Sequence, residues 1–397
     1  CEQIMDKQLS EEIKKQVDNI SQEVVSLRRF FHQNPELGFE EYKTSEKIAC
    51  VLRETGIQYE KVANTGITAF LKGRGRTTIG LRADMDALPV EEKTGLPFAS
   101  VNKGIMHACG HDGHMAVVLG VAKVLKKLEQ ELRCNIKFIF QPSEEKSPSG
   151  AVAMIRQRVL DDLNYILGFH FFPIMPIFSI WVGQGPVMAN ADVFSINITG
   201  KGGHGASPHL TNDPVVCSAY LITSLQSIIS RNIDPVKPCV LSVCRISAGT
   251  AYNVIPEQVT VQGTVRSLED SVGQKIKSLM KSRVDNICHS FGCKADFTYN
   301  SYVPSCINDP LLSQKVKKAA QTILSPRDMI EYHPIMGSED FAFFSRTKPS
   351  CYIFIGIGDT FGDNHNNRFS IDERVLPYTV NFFASLLMKL GTKNKEG

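Results

Sequence analysis

Short apolar runs of strand length alternate along this chain with longer segments whose apolar residues recur at helical spacing. No other feature restricts the fold as strongly. Ile67–Leu71, Thr77–Arg82, Asn135–Phe140, Tyr165–Phe169 and Cys351–Ile357 read as strands. The spacing predicts helices over about Ser10–Phe31, Tyr42–Thr55, His114–Leu132, Leu311–Leu324 and Leu376–Leu390. Gly56 follows the second of these as a stop signal. Strands this apolar need cover on both faces, which makes the main body an α/β domain with helices flanking its sheet. In such sheets function gathers at the carboxyl ends of strands.

The pattern changes near Ala191. Asp192–Gly200 alternates like a half-exposed strand, followed by a helix over Pro214–Ser230 and strands over Cys239–Ser247 and Gln258–Arg266. A helix over Asp270–Phe291 and a strand over Lys294–Tyr302 complete a β-α-β-β-α-β order, the ferredoxin-like split motif. The expected organisation is a discontinuous catalytic α/β domain with a mixed sheet, residues 1–189 and 304–397, interrupted by a ferredoxin-like domain over 190–303. A length of 397 residues suits two or three domains.

A hydrophobic share of 43% against 21% charged residues excludes a disordered chain. The net charge is +3 and no basic stripe is interleaved with aromatics, so nucleic acid is not an expected partner. No apolar run reaches the ~18 residues of a membrane span, and no signal-peptide pattern is present. Eleven cysteines occur without a Cys-x-x-Cys pair. Free thiols in a reducing compartment are the plain reading. A cytoplasmic setting is expected, with a lipid-modified Cys1 as the alternative.

The densest chemistry lies in His107-Ala-Cys109-Gly-His111-Asp112-Gly-His114. Imidazoles and a thiol suit a borderline divalent metal, and the glycines let the backbone turn so that side chains converge. Cys109 and His111 are the foremost ligand candidates; His107, Asp112 and His114 read as residues that orient them. Gln141-Pro-Ser-Glu144-Glu145 follows a buried strand. Successive side chains there point to opposite faces, so one glutamate can bind metal while the other moves a proton. His170 follows another strand, and His365 lies in the polar loop Gly362–Asn367. Alone, His170 reads more often as a satisfied core histidine, and the plain reading of His365 is a surface-loop histidine. Asp84 and Asp86 end a strand and share a face by period two; a loop-capping pair is the plain alternative.

Taken together the motifs resemble the dinuclear-metal amidohydrolases and metallopeptidases, the group of aminoacylases, hippurate hydrolase and auxin-conjugate hydrolases. The resemblance runs from Phe31-His-Gln-Asn-Pro-Glu-Leu-Gly-Phe39 through Gly80–Pro89, Met106–His114 and Gln141–Glu145. Gly200–His209, Tyr252–Pro256 and Met336–Phe341 complete it. It implies two divalent ions per subunit, zinc or manganese, held by Cys109, His111, Glu145, His170 and His365. It makes Glu144 the general base and acid, and puts Asp84 or Asp86 at a ligand or ligand-orienting position. His204, on a lid and dimerisation domain, would reach the partner subunit's site in a homodimer or higher oligomer. Asn253 and Arg266 would hold the substrate carboxylate. The implied substrate is an N-acyl amino acid. A metallo-dipeptidase or carboxypeptidase is the runner-up, and a non-catalytic metal-binding protein the alternative of another class. The bulky run Phe171–Phe178 and the stretch Lys146–Ser149, which stands where a Gly-rich one is usual, depart from the family pattern.

Overall fold

The structure is a computed structural model that describes residues 2–359 and 362–391, with side chains from Lys7 onward. The lipid modification considered for Cys1 lies outside the described residues. Contacts divide the chain into two compact units. One comprises 1–185, 307–333 and 343–397, the other Pro186–Cys306 with Pro334–Ala342. The segment Pro334–Ala342 therefore groups with the second unit, whereas sequence alone assigned it to the first. Backbone bonds from Ala189 N to the carbonyls of Ile335 (3.1 Å) and Gly337 (2.9 Å) tie it there.

In the first unit, β1 (Gln58–Val62), β2 (Gly66–Leu71), β3 (Thr78–Asp84), β4 (Asn135–Gln141), β5 (Tyr165–Phe172) and β6 (Ile180–Trp181) join Ser350–Gly356 in a mixed seven-stranded sheet. The order is β1-β2-β4-β3-β5, then Ser350–Gly356, then β6. β4, β3, β5 and Ser350–Gly356 run parallel. Their carboxyl ends therefore share one edge, and that edge carries Asp84, Gln141 and Phe172. Every residue of β3 and of Ser350–Gly356 is buried, as expected for central strands covered on both faces.

Helices α1 (Glu2–Gln33), α2 (Tyr42–Thr55) and α3 (His111–Lys127) belong to this unit. The stripe Ile13, Val17, Ile20, Val24, Leu27 and Phe31 of α1 is buried, following the helical spacing in the sequence. α3 packs against α1 and the helix Val375–Leu390, and is buried without a break from His111 to Ala122. It starts three residues earlier than the spacing predicts and stops at Lys127 instead of Leu132. The early start comes from Gly110, whose φ of 93° turns the chain left-handedly into the helix. The N–H groups of Gly113 and His114 already donate to the Gly110 carbonyl. Likewise β5 runs on to Phe172, because its ladder with Ser350–Gly356 continues through His170 opposite Phe354 and Phe172 opposite Gly356. His170 sits inside the strand, not after it.

The second unit has a four-stranded antiparallel sheet in the order Cys239–Ala248, Gln258–Ser267, Ala191–Thr199, Lys294–Val303. Its helices are Pro214–Asn232 and Asp270–Ser290. Asp213 caps the first through its Oδ1, which accepts from the N–H groups of Val215 and Val216. This is the split β-α-β arrangement expected from the sequence.

A buried ion pair fastens α1 to the start of α3. Arg28 Nε donates to Asp112 Oδ2 at 2.8 Å with both side chains almost fully buried. Burial opposes ionisation of Asp112, but Arg28 and His32 beside it hold its carboxyl far below the ordinary range. A carboxyl depressed in this way contributes stability at every pH above its unfolded value, near 3.9, and loses it as pH falls through the folded value. Arg28→Ala leaves that buried carboxylate without its guanidinium, with the His32 ring as its remaining partner. It should cost about 3–5 kcal/mol in urea unfolding at neutral pH; a loss under 1 kcal/mol would show that the pair does not hold the helices together.

Candidate metal centre

β3, β4 and β5 end together at one edge of the sheet, and α3 begins beside them. His111, the first residue of α3, has its ring between the carboxylates of Asp84, Asp86 and Glu145. Its Nδ1 lies 2.8 Å from the Asp86 carbonyl oxygen. Its Nε2 lies 3.6 Å from Asp84 Oδ2 and 3.9 Å from Glu145 Oε1. Nδ1–H donation to that carbonyl leaves an Nε2 lone pair, and this buried atom has no hydrogen-bond partner.

Two further pairs of ligand-type atoms lie beside it. Cys109 Sγ is 3.3 Å from His170 Nε2, while His170 Nδ1 is fixed 2.7 Å from the Phe171 carbonyl. His365 Nε2 is 3.2 Å from Glu145 Oε1. Three sets of ligand atoms each lie within 4.8 Å of one another: Cys109, His111 and His170; Cys109, Glu145 and His365; His111, Glu144 and Glu145. The structure thus brings together all five residues proposed as ligands, with Glu144 alongside.

His365 reaches the site from a loop in a left-handed conformation, φ 69°. Its N–H donates to the Ala108 carbonyl at 2.7 Å, and Asn364 Nδ2 donates to the Cys109 carbonyl at 3.3 Å. Two bonds to the Cys109 turn therefore hold a backbone geometry that disfavours non-glycine residues.

His114 is placed differently. Its Nδ1 bonds Asp84 Oδ1 at 2.6 Å, and its Nε2 accepts the Phe171 N–H at 3.1 Å. Both ring nitrogens are committed, so His114 supports the site and has no lone pair to offer a metal. Asp84 is committed as well, through Arg82 Nη1 at 2.6 Å. Arg82 also donates from Nε to Gln141 at 2.9 Å. Sequence reasoning missed Arg82, although period two puts it on the face of Asp84. Asp86 does other work: its Oδ2 accepts the Glu145 N–H at 3.0 Å, and its buried Oδ1, with no hydrogen bond, lies 3.4 Å from His111 Nδ1.

The electrostatics describe a site short of positive charge. Burial opposes a charged His111, yet Asp84, Asp86 and Glu145 lift it to about 10. Burial pushes the Cys109 thiol well up, and Glu145 and Glu144 add to it. Burial and the neighbouring His114 and His111 press His170 well below its usual value. A divalent cation reverses this by replacing the protons on imidazole and thiol. The unpartnered His111 Nε2, a thiol, imidazoles and carboxylates fit such an ion.

In the second unit, His204 and Asn253 are exposed and close to each other. His204 pairs with Val254 in a two-residue ladder, and Gly205 N–H donates to the Asn253 carbonyl at 2.9 Å. Arg266 is half-buried in Gln258–Ser267. It donates to Ser338 Oγ at 2.9 Å and approaches the Asn190 carbonyl at 3.5 Å. Among the described residues it has no ion-pair partner within 4.0 Å.

Residues 80–389 match the model of peptidase family M20/M25/M40. The chain belongs to that family. This M20 chain is 38% identical to "Thermostable carboxypeptidase 2" of Saccharolobus solfataricus over 97% of its own length and 100% of that protein. It is 41% identical to an "N-acyl-L-amino acid amidohydrolase" of Geobacillus stearothermophilus, over 73% of this chain and 79% of that one. A solved structure from Bacillus subtilis, described as a dinuclear metal binding peptidase of family M20, matches with a TM-score of 0.84 and 34% identity. That match covers 94% of this chain and 99% of the other. The protein is therefore an M20 metallohydrolase, with a metal-binding catalytic α/β domain and a separate four-stranded α+β unit. No helix among the described residues is long and apolar enough to cross a membrane.

If the cluster holds divalent ions, adding zinc or manganese to chelator-stripped protein should raise the melting temperature with the logarithm of free-ion concentration over Kd. At a free-ion concentration of 100 Kd the gain is about 2.7 kcal/mol. Cys109→Ala should lose most of it. An unchanged melting curve over the full titration would exclude metal binding at this site.

Proposed function

We propose that the protein hydrolyses the amide bond of N-acyl amino acids with two bound divalent ions, zinc or manganese. Cys109, His111, Glu145, His170 and His365 would hold them. The observation that carries this reading is the position of Glu144: it follows a buried strand, stands next to Glu145, and groups with His111. Divalent ions at such a site make water nucleophilic near neutral pH and polarise a carbonyl oxygen. Glu144 takes the proton from the attacking water and returns it to the leaving amine. His204 of the neighbouring copy in a homodimer donates to the developing oxyanion. Asp84 and Asp86 orient: Asp86 through the His111 and Glu145 backbone bonds, Asp84 through His114.

The substrate carboxylate falls to Arg266, with Asn253. A half-buried guanidinium without an ion pair supports that role, since its planar fork suits a carboxylate. A carboxypeptidase reading is favoured by the relatives of that name and needs the same carboxylate grip. It differs in accepting a free α-amino group. Hydrolysis of N-acetyl, N-benzoyl and indole-acetyl amino acids, set against dipeptides on the same metal-assayed sample, separates the two. Chelator-resistant activity, or none on either set, would remove the metallohydrolytic reading.

Glu144→Gln should lower kcat by about 10²–10⁴-fold while bound metal, measured by elemental analysis, stays at the wild-type level. Full turnover in that variant would take the proton-carrying role from Glu144. Arg266→Ala should raise KM for carboxylate-ended substrates roughly 10–100-fold, the scale of a lost charge-assisted bond. KM for the matching esters or amides should barely move; an equal rise for both would show that Arg266 does not read the carboxylate.

A further inference from the structure

The segment between Pro35 and Tyr42 carries part of the family motif but none of the residues assigned above, and its Glu41 is fully buried. Glu41 is the residue at the amino-terminal cap of α2, yet its side chain makes no capping bond. Glu36 does that instead, accepting the N–H groups of Lys43 at 3.1 Å and Thr44 at 2.9 Å. Glu41 is thereby released to turn inward. Its Oε1 accepts the Ser143 N–H at 2.9 Å, and its Oε2 accepts the Thr65 hydroxyl at 2.5 Å. A buried carboxylate is costly to keep, and capping does not explain this one.

Ser143 is the residue immediately before Glu144. It holds a positive φ of 46°, a conformation that a side chain disfavours. Three features restrain it there. Glu41 takes its N–H. Gly150 N–H donates to its carbonyl at 2.8 Å. Gly38 leaves room for it, since a Cβ on Gly38 would stand 2.7 Å from Ser143 Oγ and 2.9 Å from Ser143 Cα. On the other side of Glu144, the Glu145 N–H is taken by Asp86. The same loop also fastens the Asp86 segment, because Ala87 N–H donates to the Glu36 carbonyl at 2.8 Å.

We propose that Glu41 is a positioning residue for Glu144, acting through Ser143. Glu144 is bracketed by two backbone N–H groups, each held by a carboxylate that takes no part in the chemistry. One carboxylate belongs to Glu41 and the other to Asp86. Holding Ser143 at positive φ sets the direction in which the chain presents Glu144. This inference rests on Glu144 as the proton carrier, so its test has one arm that reads turnover and one that does not.

Glu41→Leu removes the acceptor, and Glu41→Gln keeps an oxygen for the Ser143 N–H. In the zinc-loaded protein Glu41→Leu should lower kcat about 100-fold, the scale of a misplacement of about 1 Å. KM should stay within about twofold, zinc affinity by chelator competition should be unchanged, and Glu41→Gln should recover most of the rate. Amide exchange read by mass spectrometry should quicken over residues 141–150 in Glu41→Leu and stay at the wild-type rate elsewhere. A kcat within about threefold of wild type, or a loss shared with zinc affinity, overturns the proposal. If wild type hydrolyses none of the substrates, the functional reading fails, and the exchange arm alone decides for Glu41: unchanged exchange over 141–150 overturns it. Should Glu41→Leu not fold, Gly38→Ala presses on Ser143 from the other side and should give the same kcat loss with zinc affinity retained; wild-type kcat there overturns the proposal.

Discussion

One buried chain of hydrogen bonds decides which side chains at this centre can meet a cation. It runs from Arg82 to Asp84, from Asp84 to His114, from His114 to the Phe171 N–H, and from the Phe171 carbonyl to His170. His170 then faces Cys109. Each link settles a proton. Asp84 fixes the Nδ1–H form of His114, and the Phe171 N–H occupies its other nitrogen. The Phe171 carbonyl fixes the Nδ1–H form of His170 and so turns a lone pair toward Cys109. Because the chain crosses β3, α3 and β5, the same bonds that align the sheet edge also allocate the ligands. Groups coupled in this way act together, and single substitutions along it should not be additive.

Burial gives the chain its force. Asp84 lies in a place where an isolated charge is costly; Arg82, His111 and His114 nevertheless hold it ionised, well below its usual value. Asp86 faces only the His111 ring, and Glu145 the rings of His111 and His365. The asymmetry separates the two aspartates, which the sequence alone places on one face with equal claims. Asp84 is neutralised by the protein. Asp86 keeps one buried oxygen without a hydrogen bond, 3.4 Å from the His111 ring, while its other oxygen and its carbonyl steady Glu145 and His111.

Much of the centre is legible in residue types, because thiol, imidazole and carboxylate side chains concentrated at strand ends leave few other readings. Cys109, His111 and one of Glu144 and Glu145 could be picked out in this way, whereas His170, His365 and the choice of Glu145 come only with the family resemblance. What periodicity cannot show is which histidine is satisfied: His111 and His114 differ only in their partners, and those come from β3 and β5. The helix start was misplaced because Gly110 caps α3 by backbone conformation, with no side-chain signal. β5 continues past Phe169 because its neighbour Ser350–Gly356 continues, a pairing between residues far apart in the chain. Arg82 and Glu41 escaped notice for a related reason. Each is a charged residue whose purpose depends on burial, and a sequence gives a buried charge no mark of its own. The grouping of Pro334–Ala342 with the second unit rests on bonds to Ala189 and Arg266, which no local pattern announces.

The distances along the chain also bear on how such a centre can exist. Cys109 and His365 are separated by more than 250 residues, and no unfolded chain holds them together. Metal affinity must therefore come from the folded state, with cation binding and folding coupled. Without a cation, the fold keeps a thiol and imidazoles against Glu144, Glu145 and Asp86, and the loop at His365 keeps a strained φ. Those are local costs of about 1–3 kcal/mol for a strained residue, with more for unpaired buried charge. They are sustained by the large cores of α1, α3, the sheet and the helix Val375–Leu390. A cation removes the electrostatic part of that cost and leaves the strain. The bonds from Asn364 and His365 to the Cys109 turn are therefore needed with or without metal, and the ligand loop has to be built by the protein before the ion arrives.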